Sequence, residues 1–341
     1  MSNLSDHGAS ELPATADRVP PLIATASPAQ SAAILGAMRA VAETGGPLSA
    51  AASRTLAAAD RYLFDGSHPA GPAALPPLTP DQLAAALAGS DLAENATRFL
   101  TVMALVDGRL DKQRIAAVGR YAQALGIAQR YLEEMAAAAQ DRLEEALADM
   151  TRCNMESITN RSWTGGDAGR WLVPYQDGNA DPALAARFAA LGDLPRESLG
   201  YAIWEHFRRN GYGFPGEASG LNVAFSLPHD TVHVLTGYDT SPGGEILTST
   251  FTAAMHPTYP MAGHVLPVLL SWHVGTRIND VAGAAKGALD PEEFWRAWAA
   301  GAATTVDTFA PDWDFWEFAG EPLGALRERW ALPRSGLAPN A

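Results

Sequence analysis

At 341 residues, 47% of them apolar, the chain is long enough for two domains and reads as an ordinary globular protein. A formal charge of -14 with a pI near 4.9 excludes a nucleic-acid footprint, which needs clustered Lys and Arg on one face. The single cysteine, Cys153, excludes an internal disulfide and any multi-cysteine zinc cluster, so a bound metal would take nitrogen and oxygen ligands, and a reducing compartment is expected.

The first twenty residues mix Asp6, Glu11 and Asp17 with Arg18 and hold no long apolar run, which fits neither a secretory signal nor an Arg-rich transit peptide. No run of about 18 apolar residues marks a membrane span, and a cytoplasmic location is expected. Residues 1–28, rich in Ser, Ala, Pro and acids without periodicity, are expected to be disordered. Ala-rich helices near 29–43 and 48–64 fill residues 29–65, and 66–80, with five prolines, reads as a linker.

Thr79 with Pro80 starts a helical unit over 81–152. Asp91 is placed to cap a helix through Phe99 and Met103 that ends at Asp107-Gly108, where the two aspartates 107 and 111 read as caps. Asp111 opens the next helix, with Ile115, Val118, Ala122 and Leu125 at helical spacing, and Gly126 closes it. One longer helix is expected from Gln129 to Met150. The run Met103 to Asp111, followed by Ala124-Leu125-Gly126, resembles the TerB-like tellurite-resistance domain. That family usually has a glutamate where Arg114 stands here, and no chemistry is assigned to the unit.

Residues 155–333 form a second unit, and 334–341 a tail. Asp181-Pro182 starts one helix, Pro195 to Arg209 forms another, Ser226 to Asn279 carries three more, and Asp290-Pro291-Glu292-Glu293 opens a last one. The expected fold is all-α, in two helical domains.

Chemistry concentrates in one constellation. With His229 at zero on a helix, Asp230 lies at roughly 100° and His233 at roughly 40°, so the three share a quadrant. Ser226 can cap that helix, with Pro228 in its first turn, and Thr236-Gly237-Tyr238 and Ser241-Pro242-Gly243-Gly244 reverse the chain. Glu245 then falls in the first turn of the returning helix, level with His233. Two imidazoles and two carboxylates suit a divalent metal, most simply Zn2+, with Fe2+, Mn2+ or Co2+ also compatible. A zincin protease would need Glu after the first His, and a di-iron bundle would need two Glu-x-x-His repeats. His256 shares the Glu245 face but lies roughly 16 Å along the axis at 1.5 Å per residue. His264 and His273, nine residues apart, read as structural or exposed.

His229-Asp230-Thr231-Val232-His233, Leu235-Thr236-Gly237 and Gly244-Glu245 resemble the HDxxH-x11-E signature of the coenzyme Q biosynthesis protein 4 family, supported by Leu199-Gly200, Tyr259-Pro260-Met261 and Pro322 to Arg327. The resemblance implies a helical fold and a metal held by His229, Asp230, His233 and Glu245. It also implies replacement of the C1 carboxyl of a polyprenyl hydroxybenzoate ring by hydroxyl, with Asp230 as a loose ligand able to act as base. The partners it implies are a polyprenylated quinone precursor or isoprenoid lipid, a peripheral membrane surface such as the inner membrane, other quinone-biosynthetic proteins and a second copy of the chain in a homo-oligomer. The chain departs from the family in Phe225-Ser226-Leu227-Pro228, where charged residues are common, and in its fused N-terminal unit. The competing reading is a non-enzymatic prenyl-lipid-binding scaffold in which a structural metal staples two helices.

Overall fold

A computed structural model describes residues 26–277 and 283–332. Most of the segment 1–28, the tail 334–341 and the expected helix end at Asn279 lie outside the described residues. Among those described, helix is the dominant regular structure. There are sixteen α-helices and no strand beyond the isolated bridges Ser198 to Pro322 and Gly213 to Gly220.

The first half winds as α1 (Pro28–Ala42), α2 (Ala50–Leu63), α3 (Pro80–Ala86), α4 (Ala93–Leu105), α5 (Lys112–Leu125), α6 (Arg130–Ala139) and α7 (Leu143–Thr159). Local chemistry accounts for most of these ends. Thr79 and Gln82 form a capping box on α3, Asp111 accepts from Gln113 N and Arg114 N, and Gly126 closes α5 in the left-handed region at φ 71°.

Three expectations fail locally. Asp91 does not cap α4, which starts after Leu92 with no side-chain cap. Asp107 is an ion-pair partner, accepting from Ser49 Oγ at 2.6 Å and from the buried Arg114 guanidinium at 2.5 Å. The single helix over 129–150 is broken at Asp141, φ 66°, where Arg142 N closes on Ala137 O. The Ala-rich stretch has ample helix propensity, but propensity is weak beside the packing gained when α7 folds back on α6.

Segment 66–80 is a strap rather than a free linker. Arg39 donates to the carbonyls of Ala73 and Leu75, and Leu78 N donates to Gly36 O, so the prolines lie along α1.

The second half comprises α8 (Ala168–Leu172), α9 (Pro182–Ala189), α10 (Leu199–Asn210), α11 (Val223–Thr236), α12 (Pro242–Met255), α13 (Leu266–Leu269), α14 (Pro291–Ala303), α15 (Phe315–Phe318) and α16 (Leu323–Arg329). Pro260–Val265 and Leu270–Val274 extend α13 at both ends as π-helical turns. Asp181 and Asp290 cap α9 and α14 as expected, whereas α10 begins at Leu199 because Ser198 is its cap and Pro195 to Ser198 forms a turn.

The apolar cores do not divide the chain at 152–155. Helix α7 runs through that boundary, and one core joins Ile34, Leu56, Phe99 and Met150 to Ile246, Leu266, Phe294 and Trp295. Phe99 meets the Trp295 ring edge-on at 5.1 Å, and Arg54 and Arg61 pair with Asp290 and Glu292 across the same junction. A second core collects Phe188, Ile203, Phe207, Val232, Phe251 and Phe315. Helix α12 contributes to both, through Ile246 and Phe251, so the element that carries Glu245 is held on two sides.

Candidate metal centre

Asn222 caps α11 by accepting from Ala224 N, so the helix begins one turn before the expected cap at Ser226. Ser226 and Pro228 therefore lie inside the helix. Pro228 has no N–H to give Ala224 O, and its own carbonyl accepts from Thr308 Oγ1 at 3.2 Å. The end is as expected: Gly237 sits at φ 75° with its N–H on His233 O. Ser241 then caps α12 with Pro242 at its first position. Gly244 is required there, because a Cβ would stand 1.9 Å from Asp239 O where the loop crosses the helix start.

This hairpin brings three of the four expected ligands together. The Nε2 atoms of His229 and His233 are 3.2 Å apart, His229 Nε2 lies 3.3 Å from Glu245 Oε2, and His233 Nε2 lies 3.6 Å from Glu245 Oε1. One donor atom from each lies within 4.8 Å of the others. In a tetrahedral complex ligand atoms are separated by about 1.63 times the bond length, so bonds of about 2.0 to 2.1 Å require separations of about 3.3 to 3.4 Å. The two imidazole nitrogens stand close to that spacing and each faces its own Glu245 oxygen, so the donor set suits a divalent ion in chemistry and a small inward shift would bring it to bonding distance.

Surrounding groups orient these donors. His233 Nδ1 donates to Tyr238 O at 3.0 Å, which leaves the Nε2 lone pair facing Glu245. Thr248 Oγ1 approaches the same Nδ1 at 3.1 Å, and Phe225 stacks on the His229 ring at 5.2 Å. Burial alone would raise the Glu245 pKa, but the hydrogen bonds and charges of His229 and His233 hold it well below the ordinary value. Burial likewise opposes the charged form of His233, yet the Glu245 carboxylate raises its pKa.

Asp230, the fourth expected ligand, stands outside this group. Its Oδ1 lies 3.3 Å from His206 Nε2, on α10. His206 is a residue that sequence reasoning missed, since nothing in spacing ties it to the HDxxH motif. Its only signal is the polar pair His206 and Asn210, one turn apart on a helix whose buried stripe is Leu199, Ile203 and Phe207. The His206 ring also stacks on that of His233, with centroids 5.5 Å apart.

His256, His264 and His273 are buried and apart from the centre. His256 Nδ1 pairs with Asp307 at 2.8 Å, while its buried Nε2 has no partner. His264 Nε2 meets Ser157 Oγ at 2.7 Å, and burial pushes its pKa down to about 3. His273 accepts Leu289 N–H at Nδ1 and donates from Nε2 to Val106 O, tying the two halves of the chain. Ser249 and Thr252 continue the Glu245 face but are buried, so this face is a helix contact rather than an open wall.

A cavity of about 430 Å³ lies beside α11, bordered by Ile158, Leu227, Pro228, Phe309 and Trp313. At 100° per residue, Leu227 and Pro228 face away from His229 and His233, so the cavity and the metal centre occupy opposite sides of α11. No helix among the described residues is long and apolar enough to cross a membrane. Comparison with protein-family models finds no match, and comparison with curated proteins finds none either.

Proposed function

We propose that the chain is a metal-dependent enzyme of quinone biosynthesis that carries out an oxidative decarboxylation: the C1 carboxyl of a polyprenylated hydroxybenzoate ring leaves as carbon dioxide and a hydroxyl takes its place, its oxygen supplied by an external two-electron oxidant. The observation that carries the metal part is the gathering of one donor atom each from His229, His233 and Glu245 to within 4.8 Å of one another. The HDxxH-x11-E resemblance supports the choice of substrate. A bound divalent ion would supply a Lewis acid for the ring carboxylate or hydroxyl. The two imidazole Nε2 atoms and the Glu245 carboxylate would hold it, and Asp230 Oδ1, beside His206, is the group placed to accept a proton at the edge of the centre. Tyr212, 42% exposed and 6.0 Å from the His206 ring, stands at the solvent side and suits an aromatic substrate.

A second reading, a prenyl-lipid-binding scaffold with a structural metal, is favoured by two features. The His233 side chain is only 1% exposed, and the cavity, whose lining mixes Leu227, Phe309 and Trp313 with Asn160, Arg161 and Asp314, lies away from the metal residues. On either reading a peripheral membrane surface, other quinone-biosynthetic proteins and a second copy of the chain are the partners to seek.

Elemental analysis of the purified protein, with mass spectrometry of co-purifying lipid, tests the shared premise; finding neither metal nor isoprenoid would overturn it. Substituting His233→Ala separates the two readings. A folded variant that retains biological function removes the enzymatic one, whereas unfolding on chelation alone favours the scaffold.

A further inference from the structure

The hydrogen bonds around Asp230 form a directed chain that begins in the loop between the two ligand helices. Thr240 Oγ1 donates to Asn210 Oδ1 at 3.1 Å, which fixes the amide with Nδ2 turned toward its own helix. That Nδ2 donates to His206 O at 2.9 Å and, more weakly, to His206 Nδ1 at 3.4 Å. With Nδ1 accepting, the ring carries its proton on Nε2, and this N–H points at Asp230 Oδ1, 3.3 Å away. Stacking on His233 holds the imidazole in plane for that contact. Asp230 and His206 are both largely buried, with side chains 8% and 11% exposed, so little water competes for the bond.

Resting on the metal reading above, we propose that His206 is a positioning residue that keeps Asp230 out of the ligand set. The centre is then an open site with three protein ligands, His229, His233 and Glu245, rather than a closed four-ligand one. The distinction matters chemically. Four tight protein ligands are the habit of a structural ion, whereas three leave a coordination position for a substrate oxygen. The feature is specific to this chain's own residues, because it depends on a histidine one helix away from the motif. It also gives the aspartate next to the first ligand a defined role, an acceptor held at the rim of the centre by α10.

The test is Co2+ loading of full-length protein, read by visible absorption and by competition for metal affinity. Wild type should bind one Co2+ and change its spectrum when azide is added, since a position is open. Asp230→Asn should keep that spectrum and hold affinity within about a hundredfold, as expected for a neighbour of a ligand. His206→Phe should free Asp230 to reach the ion, giving a spectrum that no longer responds to azide and tighter binding. His206→Gln, which retains a donor toward Asp230, should behave as wild type, a rescue that a purely packing role would not produce. If Asp230→Asn alters the spectrum and weakens binding by more than about a hundredfold, Asp230 is itself a ligand and the proposal falls. It falls also if His206→Phe keeps the wild-type azide response. Wild type that binds no Co2+ or Zn2+ overturns the metal reading itself, and this inference with it.

Discussion

His233 donates from Nδ1 to the Tyr238 carbonyl at 3.0 Å, which fixes the buried ring with Nε2 turned toward Glu245, 3.6 Å away. Removing it should leave a folded protein whose metal affinity drops by more than about a hundredfold, because a ligand and its orienting bond vanish together. Isothermal titration with Zn2+ reads this directly, and unchanged affinity would remove His233 from the site. Protons compete with metal for the same lone pair. Because Glu245 raises the His233 pKa, competition extends to higher pH than for a free imidazole. Apparent metal affinity should therefore rise with pH through and above the ordinary histidine value and weaken as pH falls. An affinity constant over roughly pH 6 to 8 would contradict the assignment. The pattern His-Asp-x-x-His was legible in sequence because i and i+4 share a helix face. The partition of its members was not, since whether Asp230 turns to the ion or to His206 depends on which helix lies alongside.

At the scale of elements, the centre depends on how α12 is seated. Its close approach to α14 passes through Gly301, where a Cβ would stand 2.2 Å from Phe251 O. Gly301→Ala must push the two helices apart, which should cost about 1 to 3 kcal/mol. The same displacement moves Glu245, so Zn2+ affinity should weaken in step with stability. Denaturant melts and metal titrations on one sample test this; full retention of both would show that α12 relaxes at no cost. Caps written in short range, such as Thr79, Asp111, Asp181 and Asp290, were legible because the capping bond spans only two or three residues. The start of α11 was misplaced by one turn. Pro228 imitates a first-turn proline, and only the packing of α11 shows Asn222 as the cap and Pro228 as an interior residue.

Over the whole molecule, the centre and the N-terminal helices share one core, so metal removal should lower the melting temperature of the entire protein as a single transition. Ligand saturation at a hundred times the dissociation constant is worth about 2.7 kcal/mol, and calorimetry with and without chelator should show a shift of several degrees. Two separate transitions, of which only one responds to metal, would contradict the shared core. A second global lever lies between α6 and α7. Burial and the neighbouring Asp149 hold the Glu134 pKa above its ordinary value, so the folded state binds a proton there that the unfolded chain has released. The sign is that of a raised group: its contribution is full below the ordinary carboxylate value and is lost as pH rises toward the folded value. Wild-type stability should fall on going from mildly acid to alkaline pH, and Glu134→Gln should flatten that slope. Parallel curves for the two proteins would refute this.

The sequence by itself determined the all-α class, most helix starts, and the grouping of His229, His233 and Glu245 across one hairpin, with Asp230 beside them in the motif. These rest on periodicities and capping bonds that act within a turn or across one short hairpin. Tertiary structure alone decided that α7 bridges the expected domain boundary, that 66–80 is a strap on α1, and that His206 stands beside Asp230. Those outcomes turn on contacts between residues far apart in the chain, where packing free energy outweighs local preference and no spacing rule encodes the partner.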